Sequence, residues 1–357
     1  MNLLKLVKKA VDGNVLGART GLTSMNMNAG GIHPGMYIGV ASEQKVGKST
    51  FVLEYFVTSL LELNPDVEFE FNILSTEMPR VMLEAKMVSR YIFKKYNIAL
   101  STNYILGRKL NPDGSRVKLS QEHYDLIQKV IKDYIQPISG EFDENGKLLY
   151  PGRINWLNKE NPTGVKRQIV TYAENNGEII KQPIQITMDD GTLKGVDKMI
   201  GYKPNKPNKI VINIVDHVRQ LPKERNFDMK KNVDKMSEYL VEISNVFSFV
   251  NVAVIHLNRW ASQDAVKFYG DKLIPTSDAI KDTGNIGEDV SLLITMMDPS
   301  DPAYKLNRHL GYDFVSWNTE NTNARYRSAH IVENRYGPTA NMKLGFNGQA
   351  NHFFEIK

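Results

Sequence analysis

Two hydrophobic periods alternate along most of this chain. Short apolar runs bounded by Gly, Pro and Asn are followed by longer stretches where apolar residues return every three or four positions. The pattern predicts strands at 36–41, 68–75 and 153–157, with helices at 48–63, 79–97, 120–135 and 164–175. The run Ile210-Val211-Ile212-Asn213-Ile214-Val215 is nearly all apolar, as a strand covered on both faces should be. A helix at 230–248 leads to a strand at 252–255, and strands at 290–296, 326–332 and 340–346 follow. Strand and helix in alternation argue for an α/β fold with a mostly parallel central sheet flanked by helices. Three turn signals interrupt it, Asn111-Pro112-Asp113-Gly114, Asp143-Glu144-Asn145-Gly146 and Asp189-Asp190-Gly191. Alternating runs flank the third, so 178–207 reads as an inserted β-hairpin excursion, and the basic, Pro-rich stretch 203–209 returns the chain to the sheet.

Composition narrows the class. At 357 residues, 41% apolar and 24% charged, the chain can bury a real core as one large α/β domain or two smaller ones. No apolar run approaches the roughly 18 residues of a membrane span, and no cleavage site follows the basic N-terminus. The absence of cysteine excludes disulfides, thiolate metal sites and cysteine nucleophiles, and suits a cytoplasmic location. A net charge of +5 permits a polyanionic partner without demanding one.

The chemistry concentrates at strand ends, where ligands sit in open α/β sheets. Residues 42–49, Ser-Glu-Gln-Lys-Val-Gly-Lys-Ser, stand between the first strand and its helix and form a phosphate-binding loop. Backbone N–H groups from the loop through Thr50 cradle phosphates. Lys48 reaches the β- and γ-phosphates of ATP or another NTP, and the Ser49 hydroxyl ligates Mg²⁺. One departure is Ser42, where the pattern has its first glycine; Gly47, Lys48 and Ser49 remain. Asp216 ends the 210–215 strand, where a carboxylate holds Mg²⁺. Glu77 follows the 68–75 strand and either polarises the attacking water or serves the start of the next helix. His256 ends the 252–255 strand and is either a γ-phosphate sensor or a satisfied half-buried residue.

The order of these motifs resembles the RecA-like ATPase domain of the DnaB family of replicative helicases. The resemblance rests on the entry and phosphate loop (21–51), LSTEMPR (74–80), NIVDHVRQL (213–221), VIHLNR (254–259), KDTGNIGEDVSLLI (281–294) and ENRYGPTANMKLGFNG (333–348). It implies a fold, a RecA-like P-loop ATPase core with β-hairpin insertions, and a set of roles. Glu77 matches the catalytic glutamate and Asp216 the Mg²⁺-linked aspartate. His256 falls where the family has a glutamine sensor, and Arg335 matches an arginine finger supplied by the neighbouring subunit. Glu333 departs from the family, which tends to place a second trans-acting lysine there.

The same resemblance implies a homo-oligomer, a hexameric ring that hydrolyses ATP, translocates on single-stranded DNA and unwinds duplex. Lys267, Lys272, Lys281 and the N–H groups near Gly284 are the DNA-binding candidates, with Phe268 and Tyr269 the nearest aromatics. A counterpart of the family's separate N-terminal domain is not expected within these 357 residues. Residues 1–20 read instead as an amphipathic helix that either docks on the next subunit or packs on its own domain, and 21–357 as the ATPase domain. A compact form of this kind suits a phage or mobile-element protein, with a loader or primase as further partners. A recombinase filament and a regulatory ATPase without unwinding activity are the alternatives.

Overall fold

The computed structural model describes residues 17–187, 192–257, 263–283 and 285–356, with Leu4, Val7, Lys8 and Val11 ahead of them. Most of the expected docking helix at 1–20 therefore lies outside the described residues. The strands, in chain order, are β1 (Tyr37–Ser42), β2 (Phe69–Ser75), β3 (Glu141–Phe142), β4 (Leu148–Tyr150), β5 (Ile154–Trp156), β6 (Gly177–Thr187), β7 (Leu193–Pro204), β8 (Ile210–Asp216), β9 (Val250–His256), β10 (Leu292–Met297), β11 (Arg325–Asn334), β12 (Ala340–Asn347) and β13 (His352–Glu355). Nine of them form one sheet in the order β13-β12-β11-β10-β1-β9-β8-β2-β5. Pairing is parallel from β10 through β5 and antiparallel from β10 to β13. This is the mostly parallel sheet expected from the alternating pattern.

Alternation within each strand feeds two cores. Ile38 and Val40 of β1, Ile212 and Ile214 of β8, and Phe69, Phe71 and Ile73 of β2 join one apolar cluster. Tyr37, Ala41, Val211, Val215 and Leu74 join the other. The first is covered by the helices Lys48–Leu53 and Arg80–Tyr96, the second by Pro162–Asn176 and Met229–Phe247. Burial on both faces explains why the central strands read as continuous apolar runs.

The second face also carries a row of buried amides. Asn72, Asn213 and Asn251 are fully buried and stand in register on adjacent strands, with Asn155 of β5 at the outer end. Asn155 Nδ2 donates to Asn72 Oδ1 (3.0 Å), Asn72 Nδ2 to Asn213 Oδ1 (2.7 Å), and Asn213 Nδ2 to Asn251 Oδ1 (2.7 Å). Asn251 Nδ2 ends the row on the Leu240 carbonyl (2.7 Å) and Ser244 Oγ (2.7 Å).

Beyond the sheet, β3 and β4 form the small hairpin around Asp143–Gly146, while Asn111–Gly114 makes a turn closed by one bridge, Leu110 to Arg116. Strands β6 and β7 pair antiparallel as a long arm, anchored where Tyr202 meets Phe247 and Phe249 edge-on. The turn at 189–191 lies outside the described residues. The sequence pattern missed β13 and the helix Phe314–Glu320, both too short to show a period.

Candidate active site

The parallel strands bring the loop residues together. β1 ends at Ser42, and the helix starts at Lys48 after Gly47, whose φ of 111° is open to glycine and costly for other residues. A Cβ on Gly47 would stand 3.0 Å from the Phe353 ring. Beside the loop is a cleft of about 530 Å³, lined by Gly47, Lys48, Ser49, Glu77, Lys86 and His256 among others. Ser42 is fully buried and its hydroxyl donates to the Glu43 carbonyl (2.7 Å), so its side chain serves the loop's own backbone.

Lys48 is held by three acceptors, the carbonyls of Ser42 (3.1 Å) and Glu43 (2.9 Å) and Nδ1 of His256 (2.9 Å). Burial pulls its pKa down to about 8 against the opposing pull of Asp216, Glu77 and Glu43. With Nδ1 accepting, His256 carries its proton on Nε2, which donates to Glu77 Oε1 (3.0 Å). Burial lowers the His256 pKa even though Glu77 opposes this, so the contact is a hydrogen bond from a neutral ring. Register explains the meeting, because Ser42 pairs with His256 across β1 and β9 and Ser75 with Asp216 across β2 and β8.

Asp216 is 5% exposed, and burial lifts its carboxyl to about 6, with Glu77 adding to the rise and Ser49, Lys48 and Lys86 opposing it. Its Oδ1 is buried without a partner. An orphaned carboxylate oxygen next to the Ser49 hydroxyl is the chemistry that a hard cation satisfies. Among the described residues no cluster of three or more His, Cys, Asp or Glu forms a ready-made metal cage. These two side chains would supply only part of the shell of such a cation.

Four further residues belong to the site, and the sequence reading did not name them. Gln220 Nε2 donates to Glu77 Oε1 (2.6 Å), the oxygen that His256 also binds. Lys86 Nζ donates to Thr50 Oγ1 (2.9 Å) and Asn351 Oδ1 (3.1 Å), placing a second cation at the loop; burial lowers its pKa. His217 stacks on His256 with ring centroids 3.9 Å apart, and burial, aided by the charge of its neighbours, pulls it to about 2. Phe346 lines the cleft and stacks on Phe353 at 4.3 Å. His217 and Gln220 lie in the quoted stretch 213–221 and Phe346 in 333–348, while Lys86 arrives from the helix Arg80–Tyr96.

Arg335 is not in this cleft. Asn334 pairs with Leu292, which pairs with Ile38, and Arg335 N–H donates to the Ser291 carbonyl (2.9 Å). It therefore sits at the amino end of β1, about 20 Å of strand from the phosphate loop at the other end. Its guanidinium is exposed and donates to the Glu288 carbonyl (2.7 Å), while Glu333 accepts from Ser277 Oγ (2.9 Å). Lys267 and Lys272 are exposed beside Phe268 and Tyr269, which are 82% and 54% exposed. Lys281 falls in the helical turn Ser277–Thr283; its side chain and Gly284 lie outside what the structure describes.

No family model and no curated protein matches the chain. Solved structures do. One, described as an ATPase domain, is 15% identical with a TM-score of 0.64, and the match covers 99% of this chain and 97% of that one. Another, of a DnaB-like replicative helicase and its interactions with primase, is also 15% identical with a TM-score of 0.64, over 100% of this chain and 68% of that one. Together with the nine-stranded sheet, these place the chain in the RecA-like fold of the DnaB-like replicative helicase ATPase domain.

Proposed function

We propose that this chain is an NTP-driven motor of the replicative-helicase type, hydrolysing ATP at the contacts between subunits of a ring. The observation that carries the reading is the division of the site. Lys48, Ser49, Glu77, Asp216 and His256 converge at the carboxyl ends of the strands, while Arg335 stands at the amino end. An arginine finger so placed serves a neighbour's nucleotide, not its own.

In this mechanism Lys48 exchanges its loop carbonyls and His256 for the β- and γ-phosphates. Ser49 and Asp216 would hold Mg²⁺, which would supply charge neutralisation at the phosphates. Glu77, aligned by Gln220 and His256, accepts the proton of the attacking water. His256 loses Lys48 when phosphate arrives, so its ring reports occupancy to Glu77. The neighbour's Arg335 neutralises the transferring phosphoryl group, which ties hydrolysis to assembly. Exposed Lys267 and Lys272, with Lys281 and the backbone near Gly284, contact the phosphates of single-stranded DNA, and Phe268 and Tyr269 offer faces for its bases. A loader or primase acts on this assembly in the cytoplasm. No helix of the described residues is long and apolar enough to cross a membrane.

The test is hydrolysis with and without single-stranded DNA for the natural chain, Arg335→Ala, Glu77→Ala and their mixture. DNA stimulation, two inactive variants and partial recovery on mixing are expected, because a mixed interface alone pairs an intact Glu77 with an intact Arg335. An Arg335→Ala chain as active as the natural one, with turnover indifferent to DNA, overturns the motor.

A further inference from the structure

Among the described residues, strand β5 is the free edge of the nine-stranded sheet. Its parallel register on β2 uses the Arg153 carbonyl, which accepts from Phe71 N–H (2.8 Å), and Leu157 N–H, which donates to the Ile73 carbonyl (2.9 Å). Both backbone groups of Asn155 face β2 as well, because parallel pairing engages every second residue. The N–H and C=O groups of Ile154 and Trp156 are therefore directed outward. An open groove of about 630 Å³ runs along this edge. Leu148, Pro151 and Trp156 line one side; Arg153, Arg167 and Tyr172 line the other.

The amide row gives this edge a chemical sense. Leu240's carbonyl, at the inner end, can only accept, so Asn251 must present its NH₂ there. Each amide then donates inward in turn, and Asn155 is left with its Oδ1 turned to the free edge as an acceptor. Charge adds a second preference. Glu70 is already matched by Lys209 (2.9 Å) and by the Tyr172 hydroxyl, and Arg167 by Glu160 (2.8 Å). Among the described residues, the carboxylate near Arg153 is Glu68, which is itself bound by Lys206 (2.7 Å).

We propose that β5 accepts an extended segment of a different protein as a tenth strand. Its backbone pairs with Ile154 and Trp156. A side-chain donor such as Asn, Gln, Ser or Thr stands opposite Asn155 and continues the amide row. Acidic residues share that face with the donor and meet Arg153, while apolar residues alternate onto Leu148 and Trp156. A second copy does not fit, since its β5 edge offers another acceptor opposite Asn155 and another Arg153. The proposal does not depend on the nucleotide chemistry.

The probe is a labelled nine-residue peptide in which valine alternates with glutamate and asparagine takes the centre, titrated on the full chain by fluorescence anisotropy. Replacing the central Asn by Leu should weaken binding about tenfold, the value of one lost hydrogen bond. N-methylation of all its backbone amides should abolish binding. On Asn155→Leu the Asn and Leu peptides should bind alike. No binding up to millimolar peptide, indifference to N-methylation, or an unchanged preference on Asn155→Leu overturns the proposal, as does a dimer of the chain that excludes the peptide. If Asn155→Leu fails to fold, the N-methylated peptide on the natural chain decides.

Discussion

Asp216→Asn separates the cost of a buried carboxylate from its use. The residue is 5% exposed, and burial raises its pKa from 3.8 to about 6. Two pKa units correspond to roughly 3 kcal/mol. A carboxyl with a raised folded pKa binds its proton more tightly folded than unfolded, so it destabilises the fold progressively as pH rises from about 4 to about 6, and fully above that. Asn keeps the shape and carries no charge. In chelator at pH 8 the variant should therefore be more stable than the natural chain by up to about 3 kcal/mol, and the gap should close near pH 4. With an unfolding entropy of about 2.1 cal/mol/K per residue, a chain of this size should show the gap as about 4 °C in melting temperature. Melting curves from pH 4 to 8 measure it, and added Mg²⁺ with nucleotide should raise the natural chain and leave the variant behind. A variant no more stable at pH 8, or a gap that ignores pH, refutes the reasoning.

Asn213→Ala removes the middle of the amide row, leaving Asn72 Nδ2 and Asn251 Oδ1 buried and unpaired. At about 1–3 kcal/mol for each group, denaturant unfolding should show a loss of roughly 2–5 kcal/mol, and a loss under about 1 kcal/mol contradicts it. Gly47→Ala forces a Cβ onto a backbone at φ 111° and against Phe353. Binding of a fluorescent nucleotide should fall at least tenfold with circular dichroism unchanged, in line with about 1–3 kcal/mol of strain. Arg90→Leu takes the guanidinium from buried Glu54, which burial pushes up but His352 and Arg90 hold near 2, while Glu62 keeps Lys94. A loss of about 3–5 kcal/mol is expected by calorimetry.

The chain's own order of residues determined the sheet, its phosphate loop and the ends of β2, β8 and β9, because each is a local pattern of apolar runs closing on a polar residue. It also carried the resemblance that named Glu77, Asp216, His256 and Arg335. The arm formed by β6 and β7 was legible too, from alternation around one turn. Pairing was not. Lys86 belongs to the site because a helix face turns it onto Thr50, and Gln220 because a short turn after β8 swings it onto Glu77. Neither position has a local pattern to mark it. The four asparagines lie far apart in sequence and read as isolated polar residues in apolar strands. Parallel register alone lines them up and gives the row its direction. Arg335's distance from its own phosphate loop was likewise decided by β11 running antiparallel to β10, which carries the turn after Asn334 to the amino end of the sheet.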